Sequence, residues 1–496
     1  MGFTYFDAAV IVVYLVGVAA FGMFMGGRQT SARDYFLSDK AVPWWAVCLT
    51  IVATETSALT FLSLPGVAWG GSMVFLQLAG GYILGRLLVA WIFIPRYFDG
   101  KLDTAYALIE HRFGGGLRRA SSFVFMITRL FADGVRLYAT AIPLALLLHN
   151  FEVLPEGNDT MIYLISLTFL TILTLVYVFA GGIRAVIWAD VMQWVVYILG
   201  ALASIVVLFH LLPGNPVAIV AELVKAGKLT MVDLMPENGV TGIFTTPYTL
   251  LGGLFGGAVL SMASHGTDQL IVQRVLAAQK PEPAKRAMIW SGIIVFVQFF
   301  LFLFVGALLW RFNPDGGMNA NDVFAVFIIH QLPPGLTGLV IAGILAAAMS
   351  TLSSSISALG SATMMDYVLP LLREPLSPAR ALRVSRLLSI GWAILLLLTA
   401  ALFIGTAQTV VELALSIASY TYGGLLGIFL LGVLRGHYRS AAVLIGFIAG
   451  IIASGCIILL TPLAWTWYTP AGAAATVAAA WLANSMQRTG TKETKA

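Results

Sequence analysis

Residues 345–366 read LAAAMSTLSSSISALGSATMMD, inside a long apolar run yet dense in hydroxyls: Ser350, Thr351, Ser353, Ser354, Ser355, Ser357 and Ser361. Helical spacing puts Ser350, Ser353, Ser354, Ser357 and Ser361 along one face. Small neighbours, Gly343 and Ala346 to Ala348, let a second helix come close. An unpaired polar group in hydrocarbon costs several kcal/mol, so such a row needs partners. Two readings are open at this point. The row is either small-residue helix packing, each serine bonding back to its own backbone, or a binding row for a small hard cation.

The rest of the chain sets that stretch in a membrane. Of 496 residues, 59% are hydrophobic and only 10% charged, and the mean hydropathy is +0.91. Soluble proteins carry roughly 25% charged residues. The apolar runs are continuous and of spanning length, which excludes a porin-type barrel and makes this an all-α polytopic membrane protein. Cys48 and Cys456 both fall in apolar runs and imply no disulfide framework. The net charge of +5 is spread over short loops and predicts no nucleic-acid partner. Met1 precedes an apolar run without a basic n-region, so the first span is expected to stay.

Thirteen spans are expected, at 5–25, 43–69, 73–97, 118–148, 160–181, 186–212, 247–275, 286–311, 334–366, 380–405, 408–434, 437–460 and 463–485. The polar segments 213–246 and 312–333 are too long for simple turns and are expected to carry short surface helices. Between these spans, 22 of the 28 Lys and Arg fall on one side, and only Lys225, Lys228 and Arg311 on the other. The basic side is read as cytoplasmic, which places the N-terminus outside and the C-terminus inside.

Two spans are not plain apolar helices. The second holds Ala53-Thr54-Glu55-Thr56-Ser57 at mid-depth. The seventh holds Gly252-Gly253, Gly256-Gly257, Ser261, Ser264, His265-Gly266 and Asp268. Poor helix formers and polar groups at that depth predict broken helices, tolerated only where they line a cavity. One interrupted segment opening each half points to a secondary transporter built from two inverted five-helix repeats. These are read at 43–212 and 247–434, within a single transporter domain that also has an extra first helix at 5–25 and two C-terminal helices at 437–485.

Glu55, Arg86, Arg129, Asp133, Arg136, Asp190, Asp268 and Glu412 fall within spans. Each is costly unless paired or facing water. Arg129, Asp133 and Arg136 stand four and three apart, which predicts local pairing on one face; alternatively Arg136 or Arg129 offers its bidentate fork to an anionic substrate. Asp268 and Arg274 are expected to form a cytoplasmic-gate ion pair. Asp190, taken alone, reads as interfacial. His265 reads either as a pocket hydrogen-bonder or as a packed neutral ring. Arg86 and Glu412 have no assigned role.

Five motifs in order, DYFLSDK (34–40), TAYALIEHRFGGGLRR (104–119), GGIRAVIWADVMQ (181–193), HGTDQLIVQRVLAA (265–278) and LAAAMSTLSSS (345–355), resemble the sodium:solute symporter family. The resemblance implies the inverted-repeat fold of the amino-acid transporter LeuT with an extra first helix, and sodium-coupled symport across a bacterial-type plasma membrane. It implies a sodium site from the backbone carbonyls of Ala53, Thr56 and Ala347 and the hydroxyls of Ser350 and Thr351. A second site, present in some members, would use Asp190 with Ser350, Ser353 and Ser354, so two sodium ions are expected. Carbonyls and hydroxyls suit a hard cation.

The resemblance puts the substrate beside the sodium, with Ser57 and Thr60 as hydroxyls, Phe75 as an aromatic wall, and Ser261, Ser264 and His265 on the seventh span. Glu55 stands where the proline transporter has an aspartate and would serve sodium coupling or a substrate amine. Arg136 joins this set as the candidate for an anionic group. Sugar-transporting members have a Tyr-Trp pair where this chain has Ser264-His265, and a lysine where it has Val295, which argues against a hexose. The expected solute is small and polar, an amino acid, organic acid or sugar-like compound. Proton coupling through Glu55 or Asp190 is the alternative, but a proton site needs no row of hydroxyls. A membrane sensor would need a fused signalling module, and few residues follow the last span. No nucleophile–base set or metal cluster points to an enzyme, and no filter ring to a channel.

Overall fold

A computed structural model describes residues 3–99, 102–150, 159–234, 236, 239–314, 320, 322–372, 374–404, 410–433 and 436–493. The side chains of Glu412, Arg488 and Lys492, and residues Lys101, Arg373, Arg435 and Lys495, lie outside the described set. The described chain is all helical. We number α1 (Tyr5–Gly26), α2 (Trp44–Glu55), α3 (Ala58–Gly70), α4 (Leu76–Ile92), α5 (Gly115–Asn150) and α6 (Asp159–Leu211). There follow α7 (Gly257–Gly266), α8 (Gln269–Leu276), α9 (Pro281–Phe312) and α10 (Leu336–Ala362). The last four are α11 (Pro378–Ala401), α12 (Val410–Val433), α13 (Ser440–Leu460) and α14 (Tyr468–Glu493). Among the described residues, seven helices are long and apolar enough to cross a membrane, or eight if the bent pair α2–α3 counts as one span.

The differences from thirteen separate spans have local causes. The fifth and sixth expected spans run together as α6, kinked at Gly182, whose backbone adopts φ 57 and ψ −155. That left-handed φ favours glycine, and a Cβ there would sit 2.6 Å from the carbonyl oxygen of Tyr35. The second span breaks at Thr56–Ser57, where both residues turn extended, and the chain bends by 63°. The seventh span breaks later than its glycines. Gly252–Gly256 form a π turn that leads into α7, and the helix ends only at Thr267. Asp268 then caps α8, its Oδ1 accepting the Leu270 N–H at 2.9 Å. Both long polar connections carry short helices, at Pro216–Lys225, Gly239–Thr245 and Val323–Gln331.

The helix bearing the hydroxyl row is central. Almost every residue of α10 is buried, with α1, α2, α5, α6 and α11 packed round it. The two broken segments are gripped reciprocally: α9 lies along α2 and α3, and α4 lies along α7. Close approach is bought by small residues, as membrane packing requires. A Cβ at Gly306 of α9 would meet the Pro65 carbonyl oxygen at 2.0 Å and two further Pro65 backbone atoms within 2.8 Å. No flexible side chain can yield there. Gly306→Ala should therefore lower stability by about 1–3 kcal/mol or more, read as a fall in the melting temperature in detergent. An unchanged melting temperature would mean that α3 and α9 separate easily.

Candidate functional site

Where α2 ends, backbone carbonyls lose their helical partners. The last backbone bond of α2 runs from the Thr56 N–H to the Val52 carbonyl, and the Thr56 hydroxyl donates to the same carbonyl at 2.7 Å. A small cavity of about 10 Å³ lies between this end and α10, lined by Ala53, Thr56, Gln193, Trp194, Tyr197, Ala347 and Ser350. The Thr351 hydroxyl donates to the Ala347 carbonyl at 3.2 Å. Ser350 Oγ is buried beside the Asp190 carboxylate and completes no hydrogen bond of good geometry. A buried hydroxyl without a full partner calls for an explanation, and a cation that takes oxygen donors would supply one.

Next to it, Asp190 of α6 is completely buried, contrary to the interfacial reading. Its Oδ2 accepts the Thr50 hydroxyl at 2.5 Å and pairs with Arg274 at 3.3 Å, while Oδ1 has no hydrogen-bond partner. Arg274 also donates to Thr50 Oγ1 at 3.0 Å, to the Leu270 carbonyl at 2.7 Å and to Ser354. The hydroxyls of Ser353 and Ser354 both donate to the Ser350 carbonyl, at 3.0 and 2.6 Å. Both readings of the hydroxyl row thus have members in it: Ser353, Ser354 and Thr351 back-bond to the helix, and Ser350 does not. The expected Asp268–Arg274 pair is not formed. The break at Thr267–Asp268 turns α8 so that Arg274 faces Asp190, and Asp268 turns to α5.

There Asp268 Oδ2 receives Arg129 Nε at 3.0 Å, a second bond from Arg129 Nη2, and the Tyr422 hydroxyl at 2.9 Å. Arg129 also donates to Tyr422. α5, the α7–α8 break and α12 are latched together at one end of the central cavity. The expected trio within α5 survives only weakly. Asp133 stands 3.4 Å from both Arg129 and Arg136, and its Oδ2 takes the Ser355 hydroxyl at 2.6 Å.

The central cavity, of about 210 Å³, is lined by seven of the expected substrate residues: Glu55, Ser57, Thr60, Phe75, Arg136, Ser264 and His265. Ser261 is not among them. It is buried against α4, and its hydroxyl donates to the Tyr82 carbonyl at 3.2 Å. Glu55 is not a free carboxylate either: it is paired with the buried Arg86, and His265 Nε2 lies 3.7 Å from the same oxygen. His265 Nδ1 is 2.8 Å from Ser264 Oγ. Opposite the hydroxyls stands an aromatic wall, in which Phe75 packs on Tyr248 at 5.1 Å and on Phe299 at 5.6 Å between ring centroids. Tyr82 and Trp465 extend it.

The sequence reading missed Thr50, Gln193 and Tyr422, as well as most of the aromatic wall. Thr50 could have been found: it stands four residues before Thr54, whose hydroxyl donates to its carbonyl at 2.6 Å. Gln193 follows Asp190 by three. Tyr422 and Trp465 come from distant helices and carry no local signal.

A sequence model of the sodium:solute symporter family matches residues 35–450. The chain belongs to the sodium:solute symporter family. Among curated symporters it is 27% identical to the sodium/sialic acid symporter NanT of Aliivibrio fischeri, over 88% of this chain and 85% of that one. It is 27% identical to the sodium/sialic acid symporter SiaT of Proteus mirabilis, over 91% and 89%, and 29% to the sodium-dependent multivitamin transporter of Oryctolagus cuniculus, over 91% and 70%. The fold superposes on a Na+-coupled sialic acid symporter solved in a substrate-bound, outward-open state, with a TM-score of 0.84 at 24% identity, over 97% and 98% of the two chains. These symporters are integral membrane transporters, not enzymes. Their names span sialic acid, vitamins, iodide, monocarboxylates and myo-inositol, so family membership leaves the solute open.

Proposed function

We propose that this symporter imports a small polar organic solute bearing a carboxylate, coupled to two sodium ions per cycle. The observation that carries the sodium reading is the orphaned Ser350 hydroxyl, buried between the end of α2 and α10. The first ion would be held there by carbonyls of Ala53, Thr56 and Ala347 and by the Ser350 and Thr351 hydroxyls. The second would sit by Asp190 Oδ1, which also lacks a hydrogen-bond partner, with Ser350, Ser353 and Ser354. The carboxylate reading rests on Arg136. It lines the cavity, and its one hydrogen bond among the described residues is the 3.4 Å contact to Asp133. Ser57, Thr60, Ser264 and His265 would take the solute's polar edge, and Phe75 its apolar face.

The energetics suit the task. One charge crossing 100 mV gains about 2.3 kcal/mol, and a tenfold gradient adds about 1.4 kcal/mol per ion. Two ions supply roughly 7 kcal/mol, about 10⁵-fold accumulation of a neutral solute. A monoanion gives back one charge's share and still reaches about a few thousand-fold. Proton coupling through Glu55 or Asp190 is disfavoured, because each carboxylate is held by a buried arginine, Arg86 or Arg274.

The architecture belongs to the same proposal: thirteen spans in a plasma membrane of bacterial inner-membrane type, N-terminus outside and C-terminus inside, with inverted repeats at 43–212 and 247–434. The broken α2–α3 and α7–α8 and their reciprocal packing support it. In proteoliposomes, uptake should follow an imposed sodium gradient, and uptake that ignores it would contradict the proposal. Asp190→Asn keeps the size of the side chain but removes its charge. It should lower the sodium Hill coefficient from near two toward one, and an unchanged coefficient would remove the second ion.

A further inference from the structure

Among the described residues, Glu55 is the one carboxylate lining the central cavity. Behind it, on α4, Arg86 is fully buried. One guanidinium nitrogen holds Glu55 Oε2, and the other donates to Ser291 Oγ of α9 at 2.8 Å. Ser291 spends its own proton on the Met288 carbonyl at 2.7 Å, so its oxygen is fixed as an acceptor for Arg86. α9 closes over the arginine stem, where a Cβ on Gly292 would lie 3.1 Å from Arg86 Cδ. Arg86 is thus caged by two helices and aimed at the back of Glu55.

We infer that Arg86 is a specificity-determining residue: by neutralising Glu55 from behind, it makes the site select an organic anion over the zwitterion of the same shape. The inference rests on the carboxylate reading of Arg136. A substrate ammonium taken from water into this pocket needs a counter-charge. Glu55 is the carboxylate on offer, and a second cation beside it would face the Arg86 guanidinium at close range. Asp133 and Asp268 give no alternative, since each is already bonded to arginine and to a hydroxyl. Arg136 keeps unspent donors. The wall therefore presents an anion-seeking guanidinium and a carboxylate whose charge is already matched. On this inference Glu55 would not serve a substrate amine, one of the two roles expected for it from the sequence.

The test uses the purified protein in saturating sodium and follows thermal stabilisation by matched pairs: pyruvate and alanine, 2-oxoisovalerate and valine, phenylpyruvate and phenylalanine. The oxo acid of at least one pair should stabilise the wild type, and its amino-acid twin should bind at least about tenfold more weakly. Arg86→Gln should reverse the order within that pair. The double variant Glu55→Gln/Arg86→Gln, lacking both charges, should restore the preference for the anion. Equal binding of the twins by wild type, or an Arg86→Gln protein that keeps the wild-type order, would overturn the inference while leaving the carboxylate reading in place. Stabilisation by sodium alone, with no response to any carboxylate, would instead overturn the carboxylate reading and the inference with it. Should Arg86→Gln not fold, Glu55→Gln decides alone. It unmasks Arg86 and should raise binding of 2-oxoglutarate relative to 2-oxovalerate by about tenfold; an unchanged ratio would overturn the inference.

Discussion

Replacing Ser350 and Thr351 together by alanine should abolish sodium-driven uptake, with the half-saturating sodium concentration raised at least about 100-fold. The expected ligand set has five oxygens, three of them carbonyls that mutation of a side chain leaves in place. The two hydroxyls are the donors that a substitution can remove, and Ser350 Oγ is the one that the fold leaves unspent. Losing two of five oxygens leaves the ion short of partners in a buried region. The variant should still fold. Alanine fits where serine stood, and an apolar group in place of an orphaned hydroxyl relieves a desolvation cost of about 1–3 kcal/mol. A variant with normal melting behaviour and no sodium response is therefore expected. A double variant that transports with wild-type sodium dependence would show that the ion binds elsewhere.

Arg136→Gln carries the second large effect. Truncating one partner of a desolvated charge pair costs about 2–5 kcal/mol, so solute affinity should fall by about 100-fold or more. Sodium should still stabilise the variant as it does the wild type, because Arg136 lies in the central cavity and not in the α2–α10 crossing. Arg136→Lys keeps the charge without the planar fork and should recover only part of the affinity. Measured by sodium-dependent uptake and by thermal shift in parallel, a loss of both responses would mark Arg136 as structural. Wild-type affinity in the variant would remove the carboxylate reading.

Much of the architecture was readable because membrane insertion writes long signals. Apolar runs of spanning length, a polar patch at 53–57 and the hydroxyls of 350–361 are local features, and each is where the fold places a helix, a break or a buried row. What was not readable was which charge meets which. Arg274 is nearer in sequence to Asp268 than to Asp190, yet the turn at Thr267–Asp268 delivers it to α6. Arg129 was expected to be satisfied within its own helix, and its stronger partners are on α12 and at the head of α8. Ser261 shares a helix face with Ser264 and His265, but close packing on α4 takes its hydroxyl to the Tyr82 carbonyl instead of the cavity. Arg86 had no sequence partner because Glu55 and Ser291 come from two other helices. Spacing along one helix sets which residues share a face, whereas the opposite face is supplied by helices tens to hundreds of residues away.

The most direct measurement is a cryo-EM map of the protein in sodium, at a resolution that resolves ions and ordered water. The account predicts density between residues 53–56 and 347–351, at hard-cation distances of about 2.3–2.6 Å from Ser350 Oγ, Thr351 Oγ1 and the carbonyls of Ala53, Thr56 and Ala347, and lost when sodium is replaced by choline. Ser350 Oγ packed against carbon, with no density and no room for an ion beside it, would contradict the account.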